Sequence, residues 1–256
     1  MTYTISGAGK PFIFQHGLGS SKEQGQGLLG GIAGYELISM DCPGHGKAPL
    51  PDGMRPSFQY YGEQVVQMMQ QLGIRDAHFG GISMGSGISL WMAIHHPERV
   101  RSLTLVRPAW LNEGSPANLQ MLVDVAQYQD NGSGQAEYEK RADYQMYRST
   151  LPNAAKSLMG LFAKSQQSVM PLVLKSMVAD FPFQSYVQLN KIQVPTLVIG
   201  NEDDPLHPLE MAEIIHKNIP NSSLKCVVSR YIDNEKHRDQ VFDLVTNFLQ
   251  NPNKHK

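Results

Sequence analysis

Cysteine is scarce: the 256 residues contain two, Cys42 and Cys226, far apart and in no Cys-x-x-Cys pattern. Their scarcity excludes a disulfide framework and a thiolate zinc site, and a reducing compartment is the expectation. Charge is also sparse at 18% and balanced, with 22 Lys+Arg against 23 Asp+Glu and a formal net charge of −1. A nucleic-acid binder or a polybasic membrane-surface protein would need a basic excess that is missing here. No apolar run approaches the roughly 18 residues of a membrane span, and the start MTYTISGAGK lacks the charged beginning and apolar stretch of a signal peptide. These absences point to a cytoplasmic protein acting on small molecules, without nucleic-acid or membrane partners, and leave its oligomeric state open. HExxH and Walker A sequences are missing too. Gly25, Gly27 and Gly30 satisfy G-x-G-x-x-G, but they begin well past the preceding strand and leave no room for a crossover helix, so no dinucleotide site is expected.

What is present is an alternation. Apolar strand-like runs recur at Phe12 to Phe14, Leu37 to Met40, Ala77 to Phe79, Ser102 to Val106, Thr196 to Ile199 and Leu224 to Val228. Helix-like segments separate them, the order that builds a parallel sheet covered on both faces. Ser57 is placed to cap a helix running to Leu72, where Gly73 stops it; Met84 to His95 reads as a second helix and Asp239 to Leu249 as a third. Between about Asn112 and Asn190 the strands stop, and prolines divide a run of short helical segments. A helical cap over residues 112–190, inserted into a core of residues 1–111 and 191–256, is the economical organisation.

Gly81-Ile82-Ser83-Met84-Gly85 stands directly after a strand and directly before a helix. That is the setting of a nucleophile elbow, in which a strained turn lifts a serine above the sheet and the flanking glycines leave no side chain to collide. His16-Gly17-Leu18-Gly19 follows an earlier strand and so reaches the same sheet edge. The backbone N–H groups of Leu18 and Met84 are therefore candidate oxyanion donors, and His16 is expected to tie its loop in place.

Together with Asp41-Cys42-Pro43-Gly44-His45-Gly46 after the second strand, these loops resemble the α/β-hydrolase superfamily over nearly the whole chain. The resemblance implies an eight-stranded, mostly parallel twisted sheet flanked by helices, a helical lid, no cofactor or metal, and a triad in the chain order Ser, Asp or Glu, His. The sequence departs from the family in starting close to its first strand, so the usual leading antiparallel strand is expected to be missing or shortened. In such hydrolases the acid stands four residues before a proline that opens a helix, which selects Asp204 with Pro208; counting three forward from Gly200 selects Asp203 instead. The base is expected near the end of the last strand, where His237 stands, although Lys236 occupies the place of the usual glycine; His207 and His216 compete. The expected catalytic set is Ser83, Asp204 and His237.

A serine esterase, acting on carboxylic ester or thioester through an acyl-serine, is the expected activity, with a rate rising through about pH 6.5 as its histidine loses a proton. A carbon-carbon bond hydrolase of the same fold and a catalytically silent binding protein are the alternatives. Met121, Met146, Met159, Met170 and Met177, with aromatics such as Tyr128 and Phe162, are expected to form an apolar, adaptable pocket for small to medium uncharged acyl chains.

Overall fold

Apolar runs between turn residues become one sheet in the computed structural model, which describes residues 2–132, 134–163 and 168–252. Its described strands are β1 (Tyr3–Gly7), β2 (Lys10–Gln15), β3 (Tyr35–Met40), β4 (Ala77–Ile82), β5 (Val100–Val106), β6 (Thr196–Asn201) and β7 (Ser222–Val227). They pair in the order β1-β3-β2-β4-β5-β6-β7, all parallel except β1, which runs antiparallel to β3. The expected fold class is observed, with seven strands instead of eight. The leading antiparallel strand is present after all: β1 is a half-exposed edge whose residues alternate between exposed and half-buried, so it carries no apolar run to betray it.

Helices α1 (Glu23–Leu29), α2 (Phe58–Gln71) and α3 (Met84–His95) follow β2, β3 and β4. Ser57 caps α2 by accepting a hydrogen bond from the Tyr60 N–H at 3.0 Å, and Gly73 ends it with φ +66°, a left-handed conformation that costs glycine nothing. α3 is buried from Met84 through Ala93 and so lies between the sheet and α2. The two helices approach closely because Gly62 of α2 has no side chain: a Cβ there would stand 2.0 Å from the Trp91 ring.

Between β5 and β6 the described residues form α4 (Gln120–Asp130), α5 (Gly134–Tyr138), α6 (Ala142–Thr150), α7 (Pro152–Met159), α8 (Met170–Ala179) and α9 (Tyr186–Asn190). Ser133 and residues 164–167 of the expected insertion lie outside the described residues. This helical stretch is tied to the sheet layer by side chains. The Asp180 carboxylate accepts from the Phe58 N–H at the start of α2, and Asn118 donates to the carbonyls of Ala109 and Leu206.

α10 (Leu209–Asn218) and α11 (Asn234–Gln250) complete the fold. α11 starts five residues earlier than the apolar spacing suggests, because Asp233 caps it by accepting from the Lys236 N–H at 3.0 Å. The helix buries Val241, Val245 and Phe248 against the sheet, each contributing roughly 1.5–3 kcal/mol. No described helix is long and apolar enough to cross a membrane.

Candidate active site

Ser83 sits between β4 and α3 with φ 57° and ψ −115°, a conformation L-residues rarely adopt. The surroundings hold it there. Its N–H donates to the Val106 carbonyl at 2.9 Å, and the Ser86 hydroxyl bridges the carbonyls of Gly81 and Val106 at 2.8 and 3.1 Å. The flanking glycines are steric necessities: a Cβ on Gly81 would lie 2.2 Å from the Gly85 backbone, and one on Gly85 would lie 2.1 Å from the Gln15 carbonyl oxygen.

His207 meets the serine. Its Nε2 lies 2.8 Å from Ser83 Oγ and its Nδ1 lies 2.9 Å from Asp204 Oδ1. Asp204 accepts a second hydrogen bond, from Arg107 Nη1 to Oδ2 at 2.9 Å, with its side chain fully buried. Arg107 reaches it from the end of β5, where a positive φ of 48° turns the chain and its N–H donates to the Ile199 carbonyl at 2.7 Å. A carboxylate acceptor at Nδ1 fixes the tautomer in which Nδ1 carries the proton, leaving the Nε2 lone pair facing the serine hydroxyl. Burial pushes the Asp204 carboxyl up, but the charges and hydrogen bonds of His207 and Arg107 outweigh it and hold the group well below the usual carboxylate range. Burial pushes His207 down, against the pull of Asp204.

The histidine expected at this point, His237, is not there. Because α11 begins at its Asp233 cap, His237 falls inside the helix, where its N–H donates to the Asp233 carbonyl at 3.0 Å. Its Nδ1 donates to the Val228 carbonyl at 2.7 Å, while Nε2 has no hydrogen-bond partner among the described residues. Burial and the nearby Arg107 lower it to about 4, so it is neutral near pH 7. His207 reaches the site by a much shorter route: its N–H closes a turn onto the Asp204 carbonyl at 3.0 Å, placing the imidazole three residues from the acid and directly above Ser83. The signal was in the sequence, as a histidine between the acid and the helix-opening Pro208. Of the two candidate acids the structure brings Asp204 to the histidine; Asp203 turns outward with φ 52°, and its carbonyl accepts from the Ser229 hydroxyl.

The loop that carries Leu18 is held by a separate network. The Gly17 N–H donates to Gln24 Oε1 at 2.7 Å, and a Cβ on Gly17 would stand 3.4 Å from Ser83 Cβ, so the Leu18 turn lies against the serine. Met84 follows Ser83 as the first helical residue, where N–H groups lack an intrahelical acceptor. His16 donates from Nδ1 to the Gly17 carbonyl and accepts the Cys42 N–H at Nε2, at 2.9 and 3.0 Å. Burial keeps it neutral, as that pairing requires. Buried Asp41 accepts from the Lys22 and Lys47 N–H groups and pairs with Lys22 Nζ at 3.0 Å.

Leu18, Ser83 and His207 line a cavity of about 100 Å³ together with Leu119, Leu122, Leu158 and Leu161, and with Arg107, Arg230 and Tyr231. Leucine is the commonest lining residue and no methionine lines the cavity; of those expected there, Met170 and Met177 are core and Met146 is exposed. No group of three or more His, Cys, Asp and Glu side chains that could hold a metal ion occurs among the described residues.

A sequence profile of the alpha/beta hydrolase fold matches residues 10–231. The chain belongs to this family. Lipase 3 of Moraxella sp. (strain TA144) is similar to this hydrolase, 27% identical over 224 residues that cover 84% of the chain and 69% of the lipase. The 3-oxoadipate enol-lactonase 1 of Acinetobacter baylyi is 22% identical over 255 residues, covering 93% of the chain and 88% of the lactonase. Among solved structures, a thermophilic esterase from Thermogutta terrifontis matches with a TM-score of 0.75 at 17% identity, covering 100% of this α/β hydrolase and 94% of the esterase, a likeness of fold.

Proposed function

We propose that this hydrolase cleaves carboxylic esters through an acyl-serine, thioesters being the next class. The observation that carries the reading is the continuous path Ser83 Oγ, His207 Nε2, His207 Nδ1, Asp204 Oδ1, with steps of 2.8 and 2.9 Å across the imidazole. Ser83 attacks the carbonyl carbon as His207 takes its proton; the leaving alcohol departs with that proton, and water then repeats the sequence on the acyl-serine. Asp204 orients the ring and stabilises the imidazolium. The N–H groups of Leu18 and Met84 receive the negative oxygen of the tetrahedral intermediate, at no reorganisation cost because their loops are already braced. The helices of residues 112–190 act as a cap whose leucines take the acyl chain.

A fluorophosphonate probe is expected to label the protein stoichiometrically at Ser83, with labelling and p-nitrophenyl butanoate turnover lost together in Ser83→Ala. Labelling at another residue, or turnover that survives the substitution, overturns the reading.

The pH dependence follows from His207. Protonated imidazole cannot accept the serine proton, so activity is lost as pH falls through its pKa. Burial displaces that pKa downward from the ordinary 6.5, with Asp204 opposing. A kcat/KM profile on a neutral ester is therefore expected to reach half its plateau below pH 6.5. A midpoint above 7 contradicts it.

A further inference from the structure

Beside the serine cavity lies a second one of about 270 Å³, and Gln24, Ile82, Arg107 and Arg230 line both. Their chemistry differs. Beyond those four residues, the serine cavity is lined mainly by leucines, whereas the side cavity is lined by Arg238, His237 and Asn234 with Gly27 and Leu28, and by no carboxylate. Arg107 is already paired with Asp204, and exposed Arg238 has Asp239 nearby at 3.8 Å. Arg230 stands apart. It is half-buried, its guanidinium carbon lies 5.5 Å from the centroid of the Tyr231 ring, and it has neither hydrogen bond nor ion pair among the described residues. A half-buried planar cation with no carboxylate paired to it is open to an anion from outside. On the same wall the buried Nε2 of His237 is a second polar group without a partner.

Resting on the reading of this protein as an ester hydrolase, we propose that Arg230 binds a carboxylate carried by the alcohol portion of the substrate. The apolar acyl chain lies under the leucines, the scissile carbonyl stands at Ser83, and the leaving alcohol extends into the side cavity with its carboxylate against the guanidinium. Arg230 suits this: its fork matches both carboxylate oxygens, and Asp204, the nearest buried acid, is occupied by Arg107 and His207. The expected acyl chain stays uncharged, and the charge is placed on the alcohol half.

The test compares 4-(butanoyloxy)benzoate, its methyl ester, and 4-(butanoyloxy)phenyl phosphate. The wild type is expected to prefer the carboxylate over its methyl ester by about tenfold in kcat/KM, mostly through KM. In Arg230→Gln that preference is expected to vanish, and Arg230→Lys should restore part of it. Equal use of the two esters by the wild type, or a preference that survives Arg230→Gln, overturns the proposal. So does an equal loss on both esters, which would make Arg230 a structural residue, and so does a preference for the phosphate. If the wild type cleaves none of the three, the ester-hydrolase reading fails by itself, and calorimetric titration with 4-hydroxybenzoate decides the cavity. Binding weakened about tenfold by Arg230→Gln supports it, and no binding to the wild type at millimolar ligand overturns it.

Discussion

His207→Ala is expected to lower kcat on p-nitrophenyl butanoate by about 10⁴- to 10⁶-fold, whereas His237→Asn should lower it by less than about tenfold. The disparity follows from contact. His207 Nε2 is 2.8 Å from the serine oxygen, and no other described side chain hydrogen-bonds to Ser83. Without the imidazole the hydroxyl must attack with its proton still attached, and the leaving alcohol has no acid. His237 instead donates to the Val228 carbonyl, a bond the asparagine amide can still make. Steady-state kinetics on both variants, with circular dichroism to show that each is folded, is sufficient. The reverse pattern, an active His207→Ala and an inactive His237→Asn, would place the base in α11.

The largest stability effect is expected at Gly85. Gly85→Ala puts a methyl 2.1 Å from the carbonyl oxygen of Gln15, 2.6 Å from its carbon and 3.0 Å from the carbonyl oxygen of His16. All three are backbone atoms of β2 and the loop after it, so no rotamer change relieves the clash and the strand must separate from α3. A loss of more than about 4 kcal/mol, seen as a fall of at least 10 °C or so in Tm or as insoluble protein, is the expected result. Gly27→Ala is the control. It lies inside α1 with nothing within 4 Å of the new methyl, and there alanine should stabilise by about 0.5–1 kcal/mol. A Gly85→Ala protein melting within 2 °C or so of the parent would show that β2 and α3 are not packed as described.

Much of the fold was legible because parallel strands buried on both faces must be apolar throughout: Phe12, Ile13 and Phe14 or Leu197, Val198 and Ile199 cannot be read otherwise. The elbow was legible for a steric reason, since Gly81 and Gly85 are the residues that close contact demands. β1 was hidden because its side chains alternate at an edge. His237 was expected beside the serine because the apolar face of α11 announces Val241, Val245 and Phe248, while the start of the helix is set by the quieter Asp233 cap. Once the helix begins there, His237 becomes a wall residue. The pocket lining was hidden for a similar reason. Methionine and leucine share the same helical spacing, and which of them faces the serine depends on how α4 and α7 roll against the sheet, as Leu122 and Leu158 do here.

The three-residue spacing of Asp204 and His207 governs how the carboxylate and the imidazole find one another. A pair made of Asp204 and His237 would be joined only after some thirty residues, through α10, β7 and the start of α11, had taken their places, and the entropy of closing so long a loop would weigh on every excursion of the C-terminal helix. Here the carboxylate and imidazole are neighbours on one turn between β6 and α10, so their local concentration is set by that turn alone. Fraying of α11 would disturb the wall of the side cavity while leaving the contacts among Asp204, His207 and Ser83 assembled, so the segment after β7 is free to vary without touching them.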